Sequence, residues 1–328
     1  MNTLHRFKSF LSCDMSKFLQ YKRALKRKYI TEEAVLRLLD YFLVEQCVES
    51  FSSITPQTIE AFLASRPRYQ PRSYNHLLGV TRCFFGWLVI QERLDTSPVR
   101  ASSRQTTAQK KPFLFDLNLA KRLLSLSAAL PNRSKGPDRG IIYHLVFAMM
   151  YSLGLRVGEV SRLCNKDVDL KRQLLEIRAT KFAKDRLVPF GPRLGQQLEN
   201  YLNHKKCRSD KLSPDAPLFS FNAGRPIHPG TISQTFHHLV SENSFTPLPG
   251  TSAPKLHCLR HSFAVGTLLR WYREGIDPGQ RLIHLSTFMG HVNPDSTAWY
   301  LTITDELLAE ASQRFEKFSL PAIGRTRS

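Results

Sequence analysis

The 328-residue chain contains no apolar run near the roughly 20 residues that a membrane-spanning helix needs. It is also poor in acid, with 27 Asp and Glu against 47 Lys and Arg. Its six cysteines, Cys13, Cys47, Cys83, Cys164, Cys207 and Cys258, are scattered without a Cys-x-x-Cys pair. That spacing suggests neither a disulfide framework nor a zinc ribbon, and leaves reduced, mostly buried thiols as the expectation. The first residues mix His5, Arg6 and Lys8 with Phe7 and Phe10, unlike a signal peptide, so a cytoplasmic protein is expected. His257 and His261 lie four apart beside Cys258, but no acidic general base or third ligand accompanies them at a recognised spacing. Neither a metal nor a cofactor is expected.

What the chain does have is positive charge. The net charge of +20 and a pI near 10 make its surface attractive to polyanions, and nucleic acid is the leading partner. With 42% hydrophobic residues it can bury a substantial core, and its length suits two domains.

Residues 1–100 read as an all-helical unit. Thr31-Glu32-Glu33 resembles an N-cap with early acids ahead of Val35, Leu36, Leu39, Phe42 and Leu43 at helical spacing. Thr55-Pro56 opens a second helix, and a third is expected over 73–90. Lys17, Lys22, Arg23, Lys26, Arg27 and Lys28 have two readings, lining a DNA groove or solvating an exposed helical face. Residues 101–111 are polar, lack an apolar period and end at Pro112, as a linker would. Beyond it the pattern is mixed. Ile141, Ile142, Leu145, Val146, Met149 and Met150 form a strongly apolar helix that stops at Gly154, and a second begins close to Val157, so Arg156 falls at a helix junction. Leu174 to Arg178 and Arg186 to Pro189 read as strands flanking Lys181 and Lys184. The fold class is therefore mainly α with a small β-sheet or hairpin in the second domain (α+β).

Arg156, Lys181, His257, Arg260, His291 and Tyr300 are the groups that this second half offers for surrounding a phosphate and attacking it. Alone, each has an ordinary explanation: a helix-end charge, a surface lysine, an aromatic core residue beside Trp299. Together they form four segments, Tyr151 to Leu163, Thr180 to Pro189, Leu256 to Ala264 and Met289 to Tyr300, which resemble the signature boxes of the tyrosine recombinase (phage integrase) family in the right order.

The resemblance covers residues 112 to about 315 and implies an integrase-like catalytic domain over 112–328, a linker over 101–111 and an all-α core-binding domain over 1–100. It implies an enzyme that cleaves and rejoins DNA through a 3′-phosphotyrosyl link, as the integrase or transposase of a mobile element. By the same resemblance Tyr300 is the nucleophile, Arg156 and Arg260 hold the non-bridging oxygens, and Lys181 protonates the leaving 5′-oxygen. His257 assists proton removal from the tyrosine, His291 donates to the phosphate, and Glu159 supports the site; His261 reads as structural. Thr180 and Phe182 stand where the family usually carries glycines, and Lys184 shares the turn, so the choice between the two lysines stays open.

The partners implied are double-stranded DNA with specific recombination sites, a second copy of the chain at each site, and a tetrameric synapse. Accessory DNA-bending or directionality proteins are compatible with it, and association with the nucleoid follows. A C-terminal helix over 304–318 is expected to pack on a neighbouring protomer or on its own domain. A type IB topoisomerase-like relaxing activity and a catalytically silent DNA-binding protein are the alternatives.

Overall fold

Among the described residues helices predominate, and one small sheet interrupts them. The computed structural model describes residues 7–105, 110–133, 136–178, 185–208, 213–221, 224–291, 293–302 and 305–323. The chain divides into two compact units, Met1–Gln109 and Lys110–Ser328.

The first unit holds α1 (Ser12–Ala24), α2 (Ile30–Glu45), α3 (Pro56–Ser65) and α4 (Pro71–Ile90). Their apolar faces meet in one core around Met15, Phe18, Leu36, Leu39, Phe62, Phe84 and Leu88. Thr55 caps α3 as expected: its hydroxyl accepts from the Thr58 N–H at 3.3 Å, and Thr58 Oγ1 accepts from the Thr55 N–H at 3.2 Å. Helix α2 begins differently. Tyr29 precedes it in the left-handed region (φ 49°) and provides no side-chain cap, so Thr31 lies inside the helix rather than capping it. The basic run starts on α1, where Lys17, Arg23, Lys26, Arg27 and Lys28 are exposed. Arg23 is held by Glu33, and Lys22 lies over the rings of Phe18 and Tyr21.

In the second unit the helices are α5 (Leu117–Ala128), α6 (Arg139–Leu153), α7 (Val157–Arg162), α8 (Pro192–Arg208), α9 (Pro229–Glu242), α10 (Cys258–Arg273), α11 (Pro278–Met289), α12 (Asp295–Ala298) and α13 (Asp305–Ile323). Helix α6 is apolar on nearly every side and occupies the middle of the core; Ile141 alone of its expected apolar residues is exposed. Strands β1 (Val168–Asp169), β2 (Leu174–Ile177) and β3 (Arg186–Pro189) form an antiparallel sheet in that order, with Leu175 opposite Val188 and Ile177 opposite Arg186. Alternate residues of a strand share a face, so Leu175, Ile177 and Val188 are buried together and Arg186 points to the same side. The segment joining β2 to β3, with Lys181 and Lys184, lies outside the described residues.

Helix α11 carries its own start signal. Asp277 accepts from the Gly279 N–H at 2.9 Å and Pro278 takes the first position of α11. Helix α13 packs against α10 of its own unit, with Leu307 fully buried there. The cysteines depart from expectation: Cys13, Cys47, Cys83 and Cys207 are exposed, Cys164 is half-buried and only Cys258 is buried. Cys13, Cys83 and Cys207 lie on helix faces turned to solvent, where a thiol costs the fold nothing. No helix among the described residues is long and apolar enough to cross a membrane.

Candidate active site

The end of α11 is where most of the candidate residues meet. The last carbonyls of an α-helix have no partner within it and carry the negative end of the helix dipole, so they attract cationic donors. Here three consecutive carbonyls receive three arginines from three other elements. Arg186 Nε donates to the Phe288 carbonyl at 2.9 Å, Arg260 Nη2 to Met289 at 2.7 Å, and Arg156 Nη2 to Gly290 at 2.9 Å. Gly290 ends the helix in the left-handed region (φ 67°), and a Cβ there would stand 2.7 Å from Arg186 Nη1.

Arg156 precedes α7, and its N–H donates to Glu159 Oε2 at 2.9 Å while its Nη1 donates to Oε1 at 2.8 Å. Arg186 grips the same carboxylate with both terminal nitrogens, each at 3.0 Å. Burial alone would raise the Glu159 pKa, but hydrogen bonds and charge from Arg186, then Arg156, outweigh it and hold the group at about 2. One buried carboxylate thus locks two arginines, and α11 holds both of them together with Arg260.

Arg260 lies on the first turn of α10 and is fully buried, at 0% exposure. Its Nη1 donates to the Gly154 carbonyl. Burial, then the charge of Arg156, lowers its pKa to about 9. Gly154 is required at this point twice over. Its φ is 61°, and a Cβ would approach Phe263 Cδ1 to 2.4 Å. Gly154→Ala is therefore expected to cost the left-handed penalty of about 1–2 kcal/mol plus the clash, and to shift the carbonyl that holds Arg260. Thermal denaturation and a strand-cleavage assay should both report the loss.

Tyr300 lies in a 3-10 turn (Trp299–Thr302) and is 2% exposed. Its hydroxyl is 2.8 Å from His261 Nδ1. Burial raises its pKa, while Arg260 and then Arg156 pull the other way. His291 follows Gly290; its ring stacks on Tyr300 with centroids 6.3 Å apart, and its Nδ1 is 2.6 Å from the buried Thr297 hydroxyl. His257 immediately precedes α10 with an exposed edge, and its ring meets His261 edge-on at 4.6 Å. Desolvation first and the neighbouring cations second depress all three imidazoles, to about 4 for His257 and His261 and about 3 for His291. They are neutral at physiological pH.

Of the residues singled out from sequence, Arg156, Glu159, His257, Arg260, His291 and Tyr300 come together around the end of α11, and Lys181 lies outside the described residues. Two further residues join them. Arg186 has the sequence appearance of one more strand charge, although alternation with Val188 already turns it inward. His261, expected to be structural, contacts the tyrosine hydroxyl itself. Among the described residues no group of three or more His, Cys, Asp or Glu could hold a metal ion.

Comparison with known proteins identifies the family. Residues 120–306 match the model of the phage integrase family. Protein y4rB of Sinorhizobium fredii (strain NBRC 101917 / NGR234), whose name marks it as a provisional integrase/recombinase, is 34% identical over 258 residues, 77% of this chain and 82% of its own. Tyrosine recombinase XerC of Chlorobaculum tepidum is 24% identical over 316 residues, covering 89% and 90%. The Tn1549 transposon integrase, solved in complex with transposon right end DNA, shares the fold with a TM-score of 0.66 at 16% identity, over 95% of this chain and 100% of its own. The chain belongs to the phage integrase family. It is a tyrosine-type site-specific recombinase, an enzyme that cleaves and rejoins DNA through a covalent tyrosine intermediate.

Proposed function

We propose that Tyr300 is the nucleophile of this reaction and that the protein serves as the integrase or transposase of a mobile element. The observation that carries the assignment is the gathering of Arg156, Arg260 and His291 at the end of α11 beside the buried Tyr300 hydroxyl. Tyr300 Oη attacks the scissile phosphorus, the bond to the 5′-oxygen breaks, and a 3′-phosphotyrosyl link stores the bond energy for rejoining. Arg156 and Arg260 retain guanidinium N–H groups beyond those bound to carbonyls, and planar forks of this kind suit the non-bridging oxygens. Both interactions strengthen as the transition state gains negative charge, and each such donor contributes on the order of 3 kcal/mol. His291 donates to the phosphate, Glu159 holds Arg156 in place, Lys181 supplies the proton for the leaving oxygen, and His257 assists proton removal from the tyrosine.

Arg260 and Tyr300 are covered in the free protein, so DNA entry must uncover them. The substrate is double-stranded DNA bearing specific sites, with two protomers per site, four in the synapse, and residence at the nucleoid. Residues 1–100 act as the core-binding domain and 112–328 as the catalytic one, joined through 101–111. Exposed Lys17, Lys26, Arg27 and Lys28 line the DNA. Neutralising Lys26, Arg27 and Lys28 with glutamine is expected to flatten the log–log salt dependence of binding by roughly 0.9 for each phosphate that no longer meets a cation, measured by fluorescence titration at several salt concentrations.

A nicked suicide duplex, from which the cleaved end diffuses away, tests the central assignment. The wild-type protein should accumulate a covalent complex, and proteolysis followed by mass spectrometry should find the nucleotide on the peptide containing Tyr300. Attachment to another residue would overturn it. Relaxation of plasmids without any specific site would favour a topoisomerase.

A further inference from the structure

We infer that His261 receives the proton directly from Tyr300, with His257 assisting through its edge contact with the His261 ring, a catalytic role in addition to those that the signature boxes assign. The inference rests on the reading of Tyr300 as nucleophile and concerns how that hydroxyl becomes one.

In the free protein Tyr300 is 2% exposed, so the groups that meet its hydroxyl are side chains already in contact with it. The hydroxyl of Tyr300 lies 2.8 Å from His261 Nδ1, within the normal range for proton transfer. Among the described residues no hydrogen bond joins His257 to Tyr300; its ring meets that of His261 edge-on, with centroids 4.6 Å apart. His291 faces the tyrosine ring, and its Nδ1 is engaged by Thr297. His261 is therefore the imidazole placed on the reacting oxygen. Trp299 lies edge-on against its other side, with centroids 5.8 Å apart, and α10 fixes its backbone.

The charges around it make this base responsive to substrate. Burial, His257 and Arg260 all disfavour a proton on the His261 ring in the free protein. A phosphodiester on Arg156 and Arg260 offsets the cationic charge, so the imidazole becomes a better base when DNA is in place.

In cleavage the Tyr300 hydroxyl donates to Nδ1 of a ring protonated on Nε2, and the proton passes to give an imidazolium. The Oη–P bond forms as the P–O5′ bond breaks, and the 5′-oxygen takes its proton from the acid matched to Lys181. In rejoining, the 5′-hydroxyl returns a proton to that acid as it attacks phosphorus, and the departing Tyr300 oxygen recovers its own from His261.

The test is single-turnover cleavage of the nicked suicide duplex by the full chain, with DNA binding followed in parallel. His261→Asn keeps a hydrogen-bonding oxygen near Nδ1 but offers no usable base. It is expected to bind DNA normally and to form the Tyr300-linked complex about 100-fold more slowly. A 5′-bridging phosphorothiolate, whose leaving group needs no protonation, should relieve Lys181→Ala and leave the His261→Asn defect in place. A His261→Asn rate within about threefold of wild type, or relief by the sulfur leaving group, would overturn the assignment.

Histidine-selective nitrogen-15 spectra of the wild-type protein provide a second measurement that does not depend on a variant folding. Nδ1 of His261 should be unprotonated, and an Nδ1–H would sink the proposal. If wild type forms no link through Tyr300, the underlying reading of the nucleophile fails instead.

Discussion

Tyr300→Phe is expected to abolish the covalent complex, lowering the cleavage rate by about 10⁴-fold or more, while leaving DNA affinity within a few-fold of wild type. The ring is buried in a cluster with Ala264, Val265, Leu268, Leu285, Met289 and Leu307, and phenylalanine fills the same volume. Only the hydroxyl is lost, and with it one hydrogen bond to His261. Losing that bond costs about 1 kcal/mol, somewhat more if the imidazole is left without a partner. The variant should therefore remain folded, with a melting temperature only a few degrees lower. Chemistry and stability are separated by one atom here, which makes the comparison decisive. Gel analysis of the suicide duplex, alongside calorimetry and a mobility-shift titration, checks all three quantities. A variant that still formed half the wild-type covalent complex would place the nucleophile elsewhere.

Much of this candidate site was legible because the residues that meet there are of types with few other uses at those spacings. Gly154-Leu155-Arg156 signals a helix end followed by a helix start, and α6 and α7 meet there. The two strands were visible as short apolar runs, and β2 and β3 occupy them. Arg186 is not legible in the same way because its partners are distant: Glu159 lies 27 positions earlier and Phe288 102 later. No periodicity connects such positions, although an arginine on the inward face of a strand already needs a buried acid. His261 is obscured for a related reason. Its spacing from His257 places both on one side of α10, but the hydroxyl it touches arrives from 39 residues away on another element. The start of α2 shows the reverse failure, where a capping sequence at Thr31 is overridden by a left-handed Tyr29 just before the helix. Exposure of the cysteines depends on helix orientation, which composition does not encode.

These distant contacts explain why Glu159, which makes no contact with DNA in the proposed reaction, should nonetheless be costly to alter. It is 4% exposed and its two oxygens receive four N–H donations from Arg156 and Arg186. Glu159→Gln replaces one acceptor by an NH₂ that faces guanidinium donors, and removes the one negative charge among Arg156, Arg186 and Arg260. Breaking a buried pair in this way typically costs about 3–5 kcal/mol. For a unit of this size the melting temperature should fall by roughly 10 °C, and cleavage should fall with it as Arg156 loses its position.

The pH dependence identifies the cause. The folded pKa of Glu159, about 2, lies below its ordinary 4.5, so its stabilisation is complete above pH 4.5 and is lost as pH falls toward 2. That lost contribution amounts to about 3 kcal/mol, in line with the cost of the substitution. The histidines act earlier, because their folded values of about 4, 4 and 3 lie below 6.5, and the stability they confer is lost as pH drops from 6.5 through those values. Wild type should therefore lose stability in two overlapping stages. Glu159→Gln should keep the first and lose the part of the second that lies below pH 4.5, so the two melting curves converge in acid. Adding Arg186→Gln should destabilise by less than the sum of the single changes, since it removes one of the charges left unpaired. Melting temperatures measured from pH 7 to pH 3 for the four proteins test this directly. Parallel curves, or a Glu159→Gln variant within 2 °C of wild type at pH 7, roughly 1 kcal/mol or less, would show that the carboxylate does not hold the arginines together.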